Sequence, residues 1–172
     1  GEFLSAYTPY QPEVSQGTLQ AIFEYQSMAG SLFGVEAMNA SHYDGATALA
    51  EAVLMALRNS PGRETVLLPA ALHPEYKDVI RTYLEPQAAK IREYSGSPSA
   101  AAASLDPSVS CLVAAYPDFE GRVHDLAGVA DSVHAAGALL IVHSDPILLG
   151  LFKSPGELGA DIVTAEGQAL GN

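Results

Sequence analysis

The segment Gly45-Ala46-Thr47 combines residue types and a position that suit the binding of an anion. It follows Asp44 and opens a stretch in which apolar residues recur at helical spacing. A glycine-containing turn that enters a helix presents free backbone N–H groups and the positive end of the helix dipole. The same residues also suit a plain capped helix, with Asp44 or a neighbour as the cap, that packs small side chains against a sheet.

His73 and Asp145 each follow a short apolar run that is typical of a buried strand. Open α/β sheets bind ligands at the carboxyl ends of their strands, so His73 could stack on a planar ring there. Asp145 could pair with a protonated ring nitrogen at the same edge. Each residue also has a structural interpretation, His73 as a satisfied loop residue and Asp145 as a cap for the segment that begins at Pro146.

Taken together and in this chain order, these features are the parts of a pyridoxal-phosphate site, except for the lysine that bonds the aldehyde. The sequence contains only Lys77, Lys90 and Lys153. Lys77 is predicted on a helix, Lys90 at the start of a strand, and Lys153 before the strand after which the lysine normally lies. None of the three is expected at the lysine position.

Other reactive residue types have structural explanations. His42 and His143 lack the short paired spacing of a zinc site, so we expect no metal. Cys111 is the single cysteine and lies in an apolar run, which predicts a buried packing thiol in an intracellular protein without an intrachain disulfide. Two pairs of carboxylates are predicted to be solvated charges rather than an acid–base couple: Asp118/Glu120 and Asp125/Asp131.

The elements that position these residues alternate between helical and strand-like patterns. Helices are predicted over Thr18–Leu32, Gly45–Leu57, Glu75–Leu84 (opened by Pro74) and Leu126–Ala136. Strands are predicted over Thr65–Leu68, Lys90–Tyr94, Cys111–Ala115, Ala138–His143 and Ala160–Thr164. Strands that are apolar on both faces and separated by helices predict an α/β fold with a mostly parallel sheet covered on both sides. Gly96–Pro107 is predicted to be a loop with a weak helical turn.

Composition excludes several classes of function. The 172 residues carry a formal charge of −12 with no cluster of basic residues, which argues against nucleic acid as a partner. A hydrophobic fraction of 48% is too high for intrinsic disorder. We expect neither a signal peptide nor a membrane-spanning segment from the apolar pattern of this sequence.

Five longer strings make the sequence resemble the first subunit of the glycine dehydrogenase P-protein of the glycine cleavage system. They are Ala6–Gly17, Asn39–Ala52, Leu72–Tyr76, Pro155–Asp161 and Glu166–Asn172. The resemblance implies a fold type I large domain, the fold of pyridoxal-phosphate-dependent transferases. We expect residues 1–40 to form an interface segment and helix, and residues 41–172 to form a C-terminally truncated single domain of a longer subunit.

The resemblance also assigns roles to individual residues. Gly45, Ala46 and Thr47 match the position of the phosphate cup, His73 the ring-stacking position, and Asp145 the partner of the ring nitrogen. Where relatives that bind the cofactor have a His-Lys pair, this sequence has Gln168 and Ala169. Alanine offers no amine, so this chain is expected to be non-catalytic and the pocket vestigial.

The family reaction is the decarboxylation of glycine, with transfer of an aminomethyl group to the lipoyl arm of the H-protein. The resemblance implies that a second subunit holds the pyridoxal phosphate, in a cytoplasmic heterotetramer with two copies of each subunit. Six residues are expected at the subunit interface or the mouth of the active site: Tyr7, Thr8, Tyr10, Gln11, Ser15 and Gln16. Plain packing across a subunit contact explains such a proline-rich segment equally well.

Two other functions remain open at this stage. One is a desulfurase-like or aminotransferase-like enzyme whose lysine was displaced or lies outside this sequence. The other is a pure interaction domain without a small-molecule site.

Overall fold

The chain folds around a parallel sheet of five strands in a computed structural model that describes residues 8–171. The strands are β1 Thr65–Pro69, β2 Lys90–Tyr94, β3 Val109–Tyr116, β4 Leu139–Ser144 and β5 Ile162–Ala165. Their order in the sheet is β2-β1-β3-β4-β5, and every neighbouring pair is parallel. The predicted α/β class is therefore confirmed, and all five predicted strands are present within two residues of their expected bounds.

Five α-helices connect or precede the strands in the described part of the chain. They are α1 Gln16–Phe33, α2 Gly45–Asn59, α3 Pro74–Leu84, α4 Pro98–Ala102 and α5 Val129–Ala135. Two 3₁₀ helices follow β4 and β5, at Pro146–Gly150 and Gly167–Leu170. α4 corresponds to the weak helical turn expected within Gly96–Pro107.

α5 begins three residues later than predicted. Gly128 adopts a left-handed backbone conformation with φ of 72°, and the side chain of Asp125 accepts a hydrogen bond from the backbone N–H of Ala127. Residues 126–128 therefore form a turn that a regular helix cannot include, although Leu126 is buried and completes the helical apolar pattern. The apolar spacing continued through this turn and concealed the true start.

Both faces of the sheet are covered. α2 and α3 pack on one face, where Leu49, Val53 and Ile80 meet Val66 and Ile141 in one buried cluster. α4 and α5 cover the other face with a second cluster. Every residue of β1 and β3 is buried, which is the reason for their continuous apolar runs. Cys111 is fully buried in the first cluster, so the prediction of a packing thiol is confirmed.

Candidate functional site

The candidate site lies at the carboxyl ends of β1, β3, β4 and β5, where α2 begins. Asp44 is the N-cap of α2, and its carboxylate accepts a hydrogen bond of 2.7 Å from the N–H of Thr47. The hydroxyl of Thr47 accepts in turn from the N–H of Asp44 at 3.1 Å, which completes a capping box. Hydrogen bonds from Thr47 lower the pKa of Asp44. The predicted cap is confirmed. Because the N–H of Thr47 bonds this cap, it is not free to bind an external anion.

Gly45, the first residue of α2, is the residue around which the other side chains of the site pack most closely. Its N–H donates a hydrogen bond of 2.6 Å to Oε2 of Glu166, a residue 121 positions further along the chain. A Cβ at position 45 would lie 2.7 Å from Oη of Tyr76, 3.0 Å from Oε2 of Glu166 and 3.3 Å from Cε1 of His143. A carboxylate of the chain itself thus lies where the sequence predicted an external anion, with Gly45 and Ala46 both buried.

His73 lies at the same edge of the sheet and caps α3. Its Nδ1 accepts a hydrogen bond of 3.2 Å from the N–H of Glu75. Its ring contacts the ring of Phe119 at a centroid distance of 4.5 Å and the ring of Tyr76 at 5.3 Å. Nδ1 of His73 thus has a hydrogen-bond partner within its own loop, as the structural interpretation predicted. Stacking of the ring on a cofactor stays a prediction.

Tyr76 and His143 extend this aromatic group towards β5. Their ring centroids are 5.2 Å apart in an edge-to-face arrangement, and Nδ1 of His143 is hydrogen bonded to Oγ1 of Thr164 at 2.9 Å. Burial lowers the pKa of His143 to about 4, against the opposing effect of Asp145. Burial, followed by the charges of Glu166 and Asp44, raises the pKa of Tyr76. Both rings are therefore neutral near pH 7.

Asp145 occupies the position that its alternative interpretation predicted. Its exposed carboxylate accepts a hydrogen bond of 2.8 Å from the N–H of Ile147 and caps the 3₁₀ helix Pro146–Gly150. Because it follows His143 by two residues at the end of β4, strand alternation directs it to the same side of the sheet. A role beside a ring nitrogen stays a prediction.

The lysines lie away from this cluster. Nζ of Lys77 donates to a carbonyl in the loop after β1 at 3.0 Å and to a carboxylate of β2 at 3.1 Å. Lys90 is the first residue of β2, the edge strand furthest from β5. Lys153 is exposed before the turn that leads to β5. Gln168 and Ala169 are exposed on the 3₁₀ helix after β5, so none of the three amines lies where the resemblance places the lysine.

The prediction that Asp118 is a solvated charge is wrong. Its side chain is only 3% exposed and accepts hydrogen bonds from the N–H groups of Glu120 and Arg122 and from Nε2 of His124, at 2.9–3.0 Å. Burial alone would raise the pKa of Asp118, but these hydrogen bonds outweigh it and the pKa is lowered. In the turn after β3, the carboxylate of Asp118 bonds backbone N–H groups of the same turn. Apolar periodicity in the sequence does not predict such a contact.

The N-terminal segment is described from Thr8 onward, so the predicted residue Tyr7 lies outside the described residues. Thr8 and Gln11 are exposed, Ser15 donates a hydrogen bond of 2.8 Å to the carbonyl of Tyr10, and Gln16 begins α1. Apolar side chains continue this exposed surface along α1, with Phe23 at 71% and Met28 at 66% exposure. The segment therefore presents rings and amides outward.

Four residues of the cluster were not predicted from the sequence: Tyr76, His143, Thr164 and Glu166. Strand alternation carried a usable signal for three of them, because His143 precedes Asp145 by two residues and Thr164 precedes Glu166 by two. Tyr76 follows His73 by three residues and thus lies close to it on the first turn of α3. Nothing in the sequence indicated that Glu166 would reach Gly45.

A cleft of about 950 Å³ adjoins the cluster and shares Asp44, Thr164 and Glu166 with it. It is bounded by residues 34–44, the outer face of α2 and the free edge of β5. Within residues 8–171, no group of three or more His, Cys, Asp or Glu side chains is arranged to hold a metal ion. No helix in that range is long and apolar enough to cross a membrane.

Comparison with solved structures defines the fold first. The cysteine desulfurase CsdA of Escherichia coli superimposes with a TM-score of 0.69 at 12% identity, over 99% of this chain and 45% of that one. O-acetylhomoserine sulfhydrylase of Wolinella succinogenes gives a TM-score of 0.65 at 18% identity, over 85% and 40%. At these identities the likeness shows the fold alone, and that fold is the one of pyridoxal-phosphate-dependent transferases.

Closer relatives define the family. The model of the glycine cleavage system P-protein family matches residues 1–172. The Probable glycine dehydrogenase (decarboxylating) subunit 1 of Thermomicrobium roseum is 52% identical over 99% of this chain and 40% of its own length. A crystal structure of glycine decarboxylase (P-protein) of the glycine cleavage system, in inhibitor-bound form, gives a TM-score of 0.89 at 49% identity, over 99% and 39%. The chain belongs to the glycine cleavage system P-protein family and spans about 40% of the length of these relatives.

Proposed function

We propose that this chain is part of the non-catalytic first subunit of a glycine-decarboxylating P-protein. In this proposal a second subunit holds pyridoxal phosphate, and the assembly releases CO₂ from glycine and passes an aminomethyl group to the lipoyl arm of the H-protein. The complex is a cytoplasmic heterotetramer with two copies of each subunit. Identity of about half over the whole chain to proteins named subunit 1 supports the assignment.

The observation that carries the non-catalytic role is that, within residues 8–171, no lysine amine lies at the strand-end cluster. The 3₁₀ helix after β5 carries Ala169 at the expected lysine position, and Gly45 N–H is bonded to Glu166. Pyridoxal phosphate needs a lysine to bond its aldehyde and free donors for its phosphate. The residues of this chain therefore do not fit the cofactor, and its chemistry is assigned to the partner.

Contact with the partner is proposed for the N-terminal segment and α1. Tyr10, Phe23 and Met28 expose large apolar or aromatic side chains in the described part of the chain. Aromatic residues and methionine are enriched at protein–protein interfaces, where burial of such side chains supplies most of the binding energy. The proposed role of this surface is to pack against the second subunit close to its active site.

The test is to reduce the assembled complex with borohydride and to locate the phosphopyridoxyl group by peptide mass spectrometry. We expect the label on the second subunit only, and we expect glycine–bicarbonate exchange only when both full-length subunits and the H-protein are present. The first subunit, reduced alone with the same cofactor concentration, is the control and should carry no label. A label on Lys77, Lys90 or Lys153 at one equivalent per subunit would contradict the proposal.

A further inference from the structure

The first turn of α2 already holds an acidic group of the same chain. A helix N-terminus stabilises negative charge through its free N–H groups and its dipole. Here the N–H of Gly45 donates to Glu166 at 2.6 Å, which is short for a bond to a charged acceptor, and α2 is 15 residues long. We propose that Glu166 is a built-in anion that fills the phosphate position of α2 and excludes phosphorylated ligands from this subunit.

Three side chains crowd the side of Gly45 where a Cβ would stand. Tyr76, Glu166 and His143 all lie within 3.3 Å of the point where a Cβ of residue 45 would stand. A phosphate group would have to displace the carboxylate from the same N–H and would be repelled by Glu166 and by Asp44. The capping box already uses the N–H of Thr47, so a further donor of the turn is also engaged.

The sheet delivers Glu166 to this position. β5 pairs with β4 so that Thr164 lies opposite His143, and the two side chains are hydrogen bonded at 2.9 Å. Glu166 follows immediately after β5, as the N-cap of the 3₁₀ helix Gly167–Leu170. Its reach to Gly45 therefore depends on strand register and not on one flexible side chain alone.

This inference deepens the proposed function and rests on it, because a phosphate position matters only in a subunit of this fold. The same short segment after β5 carries both departures from a cofactor site. Ala169 removes the amine, and Glu166 closes the anion position. Loss of the lysine alone would leave a subunit that could still bind the cofactor non-covalently, and Glu166 prevents that.

The experiment compares the full-length subunit with its Glu166→Ala variant for binding of inorganic phosphate by calorimetry at constant ionic strength. Glu85→Ala is the matched control, because it removes one exposed carboxylate at the far end of α3 and leaves the first turn of α2 intact. We expect Glu166→Ala to bind phosphate at least about tenfold more tightly than wild type or Glu85→Ala, roughly the effect of one net hydrogen bond to a charged group. Its melting temperature should be lower than that of wild type without phosphate and should recover when phosphate is added.

Equal phosphate affinity in Glu166→Ala and Glu85→Ala would overturn the inference, as would tight phosphate binding by the wild-type subunit. If Glu166→Ala does not fold, Glu166→Gln decides, since it keeps a neutral acceptor for the N–H of Gly45. Removal of the charge alone should tighten phosphate binding by about threefold or more, and an unchanged affinity would refute the idea. Either failure leaves the proposed function intact, because that proposal is judged by the borohydride label and not by phosphate binding.

Discussion

Three side chains approach the point where a Cβ of residue 45 would stand, so alanine at this position forces at least one of them to move. We expect Gly45→Ala to lower the free energy of unfolding by about 1–3 kcal/mol, because the added methyl group meets Tyr76, Glu166 and His143 at contact distances or less. Urea denaturation of the full-length subunit measures this loss. Gly17→Ala is the control, since no atom lies within 4 Å of its added Cβ and alanine favours a helix by about 0.5–1 kcal/mol. Equal effects of the two substitutions would show that the site around Gly45 is not tightly packed.

His143 should make stability depend on pH in the mildly acidic range. Burial lowers its pKa to about 4, so the unfolded chain binds a proton near the ordinary value of 6.5 while the folded chain does not. Its contribution to stability is therefore fully present above pH 6.5 and is lost as the pH falls towards 4. We expect His143→Gln to flatten the dependence of the unfolding free energy on pH between 7 and 4.5. Parallel profiles for variant and wild type would indicate that the imidazole is solvated.

At this scale the sequence predicted which residues lie together, and their role in binding stays a prediction. Gly45, His73 and Asp145 lie at one edge of the sheet, where the rule for parallel strands predicts them. His73 and Asp145 accept hydrogen bonds from the N–H groups of Glu75 and Ile147, two residues further along the chain, whereas Gly45 bonds Glu166, 121 positions away. Hydrogen-bond partners that are distant in sequence leave no trace in local patterns.

At the scale of elements, Arg63 connects the start of β3 with the end of α5. Its Nη1 donates to the carbonyl of Val109 at 3.0 Å and to that of Ala136 at 2.9 Å. We expect Arg63→Ala to cost about 1–3 kcal/mol of unfolding free energy, because two partly buried carbonyl groups lose a charged donor. The control is Arg58→Ala, whose 68% exposed side chain makes one ion pair at 3.8 Å and should change stability by less than about 0.5 kcal/mol. Thermal or urea unfolding measures the stability of both variants. Similar losses of unfolding free energy in Arg63→Ala and Arg58→Ala would show that Arg63 does not connect β3 with α5.

The elements themselves were largely predictable. β1 and β3 are buried on both faces, so their sequences had to be continuously apolar. α2 begins after its N-cap Asp44, and α3 begins at Pro74 after its N-cap His73. The start of α5 was not predictable, because Leu126 is buried without being helical. Apolar residues mark buried positions, and a buried position can belong to a turn as well as to a helix.

At the scale of the whole molecule, the apolar surface of α1 is expected to act in assembly. Phe23→Glu should weaken association with the second subunit by about tenfold or more, since a 71% exposed ring would be replaced by a charge that must lose its water. Sedimentation of mixed full-length subunits measures the association constant. Ser31→Glu adds the same charge at an exposed polar position of α1 and should leave association within about threefold of wild type. If both variants assemble like wild type, α1 does not contribute to the interface.

The sequence by itself determined the class of fold, the strands, the capped start of α2 and the buried Cys111. These properties depend on residue type and on periods of two or about 3.6 residues, which local sequence records directly. Only the tertiary structure decided that Glu166 bonds Gly45, that Asp118 is buried under its own turn, and that Tyr76 and His143 join the site. Those contacts depend on the register of β4 and β5 and on the path of turns, because elements far apart in the chain meet only after the sheet has assembled.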